Sequence, residues 1–214
     1  MNRFEEIANN VIDGQGETVA GLIQAALDAG KTPEDILSKG LMLGMNIVGR
    51  EFREGNRFVP EVLVAAQAMK MGMKVLSPHF ASVNIKTAGR FMIGTVQGDI
   101  HDIGKNLVAM LLDGAGFEVI DLGVDVSVEK FVAAIKEKKP DIVGISALLS
   151  TTMLEMSKVI EAIEAAGLRN QVKIMIGGAP VTDKFSKKIG ADGFAPEAGS
   201  AVEVARQFMT PPQV

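Results

Sequence analysis

One short stretch gathers side chains that could hold or activate a ligand: Gly98-Asp99-Ile100-His101-Asp102-Ile103-Gly104. An imidazole flanked by carboxylates can serve as a metal ligand or as an acid-base group. Asp99 stands two residues before His101, and a carboxylate that accepts the Nδ1 hydrogen fixes the tautomer and leaves Nε2 free for a metal. Other readings of the same residues stay open at this point. A single histidine commonly caps a helix or faces solvent, and Asp99, His101 and Asp102 together could hold a divalent metal for hydrolysis. A phosphate site of the flavodoxin or response-regulator kind fits less well, because Gln97-Gly98-Asp99-Ile100-His101 lacks a dense nest of hydroxyls or glycines. The other histidine, His79, follows Pro78 and reads as a helix-end or linker residue.

The elements around this stretch decide where it sits. Short apolar runs at 90–96, 118–121, 142–146, 173–176 and 193–195 alternate with segments of helical spacing. That alternation predicts an α/β domain with a doubly wound, five-stranded parallel sheet of the flavodoxin-like, Rossmann type. In such sheets ligands bind outside the carboxyl ends of the strands, near the point where strand order reverses. Gly98 to Gly104 then falls in the loop after the first strand, while Ser146-Ala147-Leu148 closes the third and Gly177-Gly178 the fourth. Before this region the period is helical throughout, broken at Gly14-Gln15-Gly16, Gly30 and Glu54-Gly55-Asn56-Arg57, which predicts a four-helix bundle. Thr32-Pro33-Glu34-Asp35 is a capped start with proline at the first helical position. Pro60 opens the fourth helix, whose Val62, Leu63, Ala66, Met69, Met73 and Leu76 could form one apolar stripe. The expected organisation is a helical cap domain at 1–80, a polar linker at 81–88, the α/β domain at 89–210 and a frayed tail at 211–214.

Composition narrows the chemistry. A chain of 214 residues is long enough for two modest cores. The absence of cysteine removes disulfides, thiolate zinc sites, iron–sulfur clusters and a cysteine nucleophile together, so redox work must come from a bound cofactor. A net charge of -4, with neither Trp nor Tyr, argues against nucleic-acid binding. No apolar run reaches the roughly 18 residues that span a bilayer, and Met1-Asn2-Arg3-Phe4 lacks a signal peptide's pattern. A cytoplasmic protein with no membrane partner is expected. Twelve methionines supply adaptable apolar surface suited to docking more than one partner.

Three motifs share one register: Asp-x-His-x-x-Gly at 99–104, Ser-x-Leu at 146–148 after a gap of 41 residues, and Gly-Gly at 177–178 after a further 28. This pattern resembles the cobalamin-binding domains in which histidine replaces the cofactor's own base. Residues 4–209 resemble the cap and cobalamin-binding domains of cobalamin-dependent methionine synthase. They are still more similar in size to the free-standing corrinoid proteins of methyltransferase systems. The resemblance implies cobalamin, as methylcobalamin or a related corrinoid, with His101 under cobalt. It places the 98–104 loop, from Gly98 through Ile100, Asp102 and Ile103 to Gly104, against the corrin. Ser146, Leu148 and Ser150, with Gly177 and Gly178, line the pocket of the displaced nucleotide tail. Phe52, Val59 and Val62 shield the upper face, and Thr152 completes an Asp99–His101–Thr152 proton relay where methionine synthase has a serine.

The activity implied is that of a methyl carrier. It accepts a methyl group on cobalt(I) from a substrate-specific corrinoid methyltransferase and presents methyl-cobalt(III) to a second methyltransferase, whose acceptor is tetrahydrofolate or coenzyme M. A corrinoid reductive activase is a further implied partner. The methyl donor stays open among methanol, methylamines, betaines and aryl methyl ethers. A cobalamin-dependent sensor, which shares cap and binding domain but normally adds an output module, is the runner-up.

Overall fold

The computed structural model describes residues 2–80 and 87–210. Most of the expected linker and the whole expected tail lie outside them. The chain divides into two compact units, one helical and one α/β.

The helical unit contains α1 (Arg3–Ile12), α2 (Gly16–Asp28), α3 (Pro33–Ile36), α4 (Met42–Arg53) and α5 (Val59–Leu76). Helices α3 and α4 run into one another through a π turn at Leu37–Leu41, so four rods result. The third rod starts as its residues dictate: the Thr32 hydroxyl accepts the Asp35 N–H at 3.2 Å and Pro33 occupies the first turn. The punctuation does not predict the π turn. Around it Gly40 and Gly44 lie against α1, where a Cβ on Gly44 would sit 2.7 Å from the Ala8 carbonyl oxygen.

The stripe expected on α5 needs correction. Leu63 is 43% exposed, and the buried positions are Val62, Ala65, Ala68, Met69, Gly72 and Leu76. Close approach to α2, rather than side-chain bulk, selects this face, since a Cβ on Gly72 would come within 2.9 Å of Val19, Ile23 and Leu41. His79 lies in a short 3-10 turn, Ser77–Phe80. Among the described residues no helix is long and apolar enough to cross a membrane.

The α/β unit alternates β1 (Arg90–Thr95), α6 (Ile103–Gly114), β2 (Glu118–Asp121), α7 (Val128–Lys138), β3 (Ile142–Ser146), α8 (Glu155–Ala165), β4 (Lys173–Gly177), α9 (Asp183–Lys188), β5 (Gly193–Ala195) and α10 (Ala198–Met209). All strand pairs are parallel, in the order β2-β1-β3-β4-β5. This is the expected doubly wound sheet, and its strand order reverses between β1 and β3. The central strands are near-continuous buried apolar runs because helices cover both sheet faces. On one face Met92, Phe131, Val143, Ile145, Met156 and Ile160 form part of a single core, each contributing about 1.5–3 kcal/mol on burial. Register then aligns the motifs: Thr95 pairs with Ser146, Ser146 with Gly177, and Gly177 with Ala195. One row across the carboxyl edge of the sheet therefore carries the starts of all the candidate loops.

Candidate functional site

The loop that leaves β1 turns back on itself before α6. The Asp99 N–H donates to the Val96 carbonyl at 3.2 Å, and Gly98 takes a left-handed φ of 79° that favours glycine. The Thr95 hydroxyl donates to the His101 carbonyl at 3.0 Å and so closes the base of the loop. The Asp102 carbonyl then accepts the Asn106 N–H at 2.7 Å, where α6 begins. This puts Asp99 inside and His101 outside: Asp99 is 0% exposed, whereas the His101 side chain is 46% exposed.

A buried carboxylate must be satisfied, and Asp99 is. Its Oδ1 accepts from the His101 backbone N–H at 3.1 Å and from the His101 ring Nδ1 at 2.7 Å. Its Oδ2 accepts from the Leu148 N–H at 2.8 Å, the Leu149 N–H at 3.3 Å and the Thr152 hydroxyl at 2.7 Å. Burial alone would raise the Asp99 pKa. The Leu148 N–H, the Thr152 hydroxyl and the His101 ring and N–H together outweigh burial and hold the carboxyl well below its ordinary value of 3.8. An ionised carboxylate only accepts, so Nδ1 carries the ring hydrogen and the Nε2 lone pair points away from Asp99, available to a metal. Thr152 has one hydroxyl hydrogen and two acceptors in reach, Asp99 Oδ2 and the Leu149 carbonyl at 3.0 Å. The charged acceptor holds it. His101, Asp99 and Thr152 thus form one continuous hydrogen-bonded chain, with threonine serving where a serine was the reference.

The other residues singled out from the sequence distribute unevenly. Ile100 and Ile103 are 75% and 76% exposed, and Leu148 and Leu149 43% and 42%, so the two loops joined through Asp99 both present apolar side chains to the surface. Asp102 is exposed and its carboxylate accepts from the Asn106 amide at 3.0 Å. With Asp99 saturated and Asp102 engaged, the hydrolytic metal site finds no support, and among the described residues no group of three His, Cys, Asp or Glu could hold a metal ion. Ser146 ends β3, half-buried, and its carbonyl accepts the Val96 N–H at 3.0 Å. Ser150 is exposed. Gly178, at φ 128°, lies so near β3 that a Cβ would fall 1.8 Å from the Ala147 carbonyl oxygen, and one on Gly177 would lie 3.0 Å from the Ala195 oxygen. In the helical unit Phe52 and Val59 are half-buried, whereas Val62 is 0% exposed and offers no surface to a ligand.

Sequence reasoning missed three contributors. Thr95, Leu148 through its backbone N–H, and Asp125 all tie the loop down. It missed Lys105 as well. Its ammonium, on a side chain only 2% exposed, bonds Asp121 at 2.6 Å and Asn106 at 2.7 Å, joining α6 to the end of β2. A lysine one position after Gly104 in a helix otherwise apolar on its inner side was the available signal.

A doubly wound sheet with a tautomer-fixed, outward-facing imidazole at its switch point defines a cofactor-binding α/β protein. Family models described as B12 binding domain match residues 89–206 and residues 3–77. A corrinoid protein of Desulfitobacterium hafniense is 40% identical over 212 residues, 98% of each chain. Trimethylamine corrinoid protein 2 of Methanosarcina acetivorans is 50% identical over 179 residues, 83% of this chain and 82% of that one. Among solved structures, the methanol:cobalamin methyltransferase complex of Methanosarcina barkeri is similar with a TM-score of 0.86 and 34% identity, over 95% of this chain and 78% of that chain. The chain belongs to the B12-binding protein family.

Proposed function

We propose that this protein is a corrinoid methyl carrier that works with methyltransferase partners. The observation that carries the reading is the His101 ring itself, its Nδ1 held by a buried carboxylate and its side chain nearly half exposed on a loop that also exposes Ile100 and Ile103. The residues present fit a corrinoid. A large macrocycle with apolar faces suits the exposed apolar side chains of Ile100, Ile103, Leu148 and Leu149. A Cβ on Gly104 would meet nothing of the protein within 4 Å, so the fold itself does not require glycine beside the imidazole, while a ligand lying there would. His101 would hold the cobalt, with Gly98 to Gly104 beneath the ring system. Ser146, Leu148, Ser150, Gly177 and Gly178 would receive the nucleotide tail. When bound, the corrinoid supplies a cobalt that takes up a methyl group as a nucleophile and yields it as an electrophile.

What the chain contributes is control of a proton at the imidazole. With a metal on Nε2, Asp99 would retain the Nδ1 hydrogen and orient the ring. A free Nε2 could take a proton, and the imidazolium would then face a carboxylate kept ionised by Leu148 and Thr152. The partners are a substrate-specific methyltransferase that loads the methyl group, a second methyltransferase that removes it, and a corrinoid reductive activase, all in the cytoplasm. Methylamines or methanol are the donors that the similar proteins' names support. Reconstituting the purified chain with methylcobalamin tests the reading: after desalting it should remain red to orange, and His101→Ala should bind without the histidine-ligated absorption spectrum. A colourless chain, or a variant with an unchanged spectrum, refutes it.

A further inference from the structure

The β1 loop is tied on its inner side by Asp99 to the loop after β3. On its outer side the tie comes from one residue of the loop after β2. Asp125 accepts the Gly98 N–H on Oδ1 at 2.7 Å, and its own N–H donates to the Asp99 carbonyl at 3.0 Å. The two bonds hold the peptides on either side of the Gly98–Asp99 pair, Gln97–Gly98 through its N–H and Asp99–Ile100 through its carbonyl, and so fix the backbone that aims the Asp99 side chain. Asp125 is itself held by the strand pairing that continues past β2: Val126 bridges Val96, and the Val126 N–H donates to the Thr95 carbonyl at 3.0 Å. Its φ of 51° lies in the left-handed region, which a residue with a Cβ adopts uncommonly and keeps where the surroundings impose it. A turn that needed only this conformation would be better served by glycine, as at Gly123 two residues earlier, with φ 86°. A strained aspartate whose carboxylate caps the Gly98 amide indicates that the carboxylate is what is retained.

We infer that Asp125 is a positioning residue for the His101 site, acting through the backbone on either side of Gly98 and Asp99 and not by contact with the imidazole. The inference rests on His101 as the cobalt ligand, and three substitutions in the full chain separate its parts. Asp125→Gly keeps the left-handed turn and removes the clamp, Asp125→Asn keeps both an acceptor and tolerance of the conformation, and Asp125→Ala removes both. In the cofactor-free chain, hydrogen exchange of the Gly98 amide followed by NMR should accelerate roughly 10-fold in Asp125→Gly and Asp125→Ala, the equivalent of one hydrogen bond, and return close to wild type in Asp125→Asn. In the nitrogen-15-labelled chain loaded with unlabelled cobalamin and reduced to cobalt(II), a two-line nitrogen splitting of the electron paramagnetic resonance spectrum reports the bound imidazole, whereas the cofactor's own base would give three lines. The ratio of imidazole-on to imidazole-off should fall roughly 10-fold in Asp125→Gly and be restored by Asp125→Asn. If Asp125→Gly matches wild type in both measurements, Asp125 is only a turn residue and the inference is overturned. If wild type shows no two-line splitting, the ligand role of His101 fails instead, and an unchanged Gly98 exchange rate still overturns the clamp.

Discussion

Asp99→Asn alters one atom and leaves volume unchanged, so its consequences follow from donor and acceptor bookkeeping. Five donors converge on the carboxylate: two from His101, and the Leu148 N–H, Leu149 N–H and Thr152 hydroxyl. An amide offers an oxygen to one side only. If the oxygen turns to His101, the Thr152 hydroxyl can swing to the Leu149 carbonyl at 3.0 Å, but two backbone N–H groups then face an NH2 group, at about 1–3 kcal/mol each. If the oxygen turns to Leu148, Leu149 and Thr152, only the His101 backbone N–H is left without an acceptor. The ring adapts by accepting at Nδ1 and moving its hydrogen to Nε2. The second arrangement is the cheaper, and it blocks the coordinating nitrogen. Ligation of cobalt by His101 should therefore weaken by roughly 10- to 100-fold, or about 1.4–2.7 kcal/mol, in a chain that still folds. Nitrogen-15 NMR of the cofactor-free variant should find the ring hydrogen on Nε2, and an absorption titration with cobalamin should give the ligation constant. A variant that keeps its hydrogen on Nδ1 and ligates like wild type would refute the reasoning.

The depressed Asp99 pKa carries a pH signature in the cofactor-free chain. Its stabilisation is complete above the ordinary value of 3.8 and is lost as pH falls below it toward the folded value, because the unfolded chain takes up the proton first. The stability gap between wild type and Asp99→Asn, measured by urea unfolding, should be flat from pH 7 to about 5 and close on further acidification; a gap that widens contradicts the assignment. Gly178→Ala should cost about 1–3 kcal/mol or more in thermal unfolding, because the new methyl meets the Ala147 carbonyl at a φ of 128°. Gly104→Ala has no such obstacle, so it should leave stability equal or raise it by about 0.5–1 kcal/mol while weakening corrinoid binding; equal affinity would show that no ligand approaches Gly104. Asp121→Ala strands the Lys105 ammonium with Asn106 alone and should cost about 3 kcal/mol, whereas Lys105→Met, which removes the buried charge and leaves a 41% exposed carboxylate, should cost less than half as much. Equal losses would mean that packing rather than charge dominates there.

Most of the sheet was legible because a parallel strand buried on both faces leaves a short apolar run whatever its loops do. The expected limits at 118–121, 142–146 and 193–195 coincide with β2, β3 and β5. The extra residue expected on β1, Val96, in fact bridges Val126 as an isolated pair. On α5 apolar bulk is a poor mark of burial for a physical reason: where two helices lie close, Ala65, Ala68 and Gly72 are the inner face and Leu63 is left outside. At the site, Asp99 and His101 could be paired from spacing, since two residues suffice for a carboxylate to reach a ring nitrogen. The partners of Asp99 could not. The Leu148 and Leu149 contributions are backbone N–H groups, blind to side-chain identity, and Asp125 acts across 27 residues of sequence through a left-handed turn.

The site divides its labour between two side chains that touch. Asp99, fully buried and bonded to the loops after β1 and β3, belongs to the fold: removing it would leave several donors unsatisfied in the core. His101, nearly half exposed, contributes to the fold little beyond its backbone contacts with Thr95 and Asp99. A ring so lightly held by packing would sample rotamers freely, and a metal would have to arrest that motion at an entropic cost. The 2.7 Å bond to an immobile carboxylate removes the motion in advance. The same bond explains the asymmetry of exposure. The end of the ring that must not move is inside, and the end that must reach a ligand is outside, so the loop must bend sharply between residues 99 and 101. Gly98 in a left-handed conformation, the Thr95 bond to the His101 carbonyl and the Asp125 clamp are the three devices that make and hold that bend.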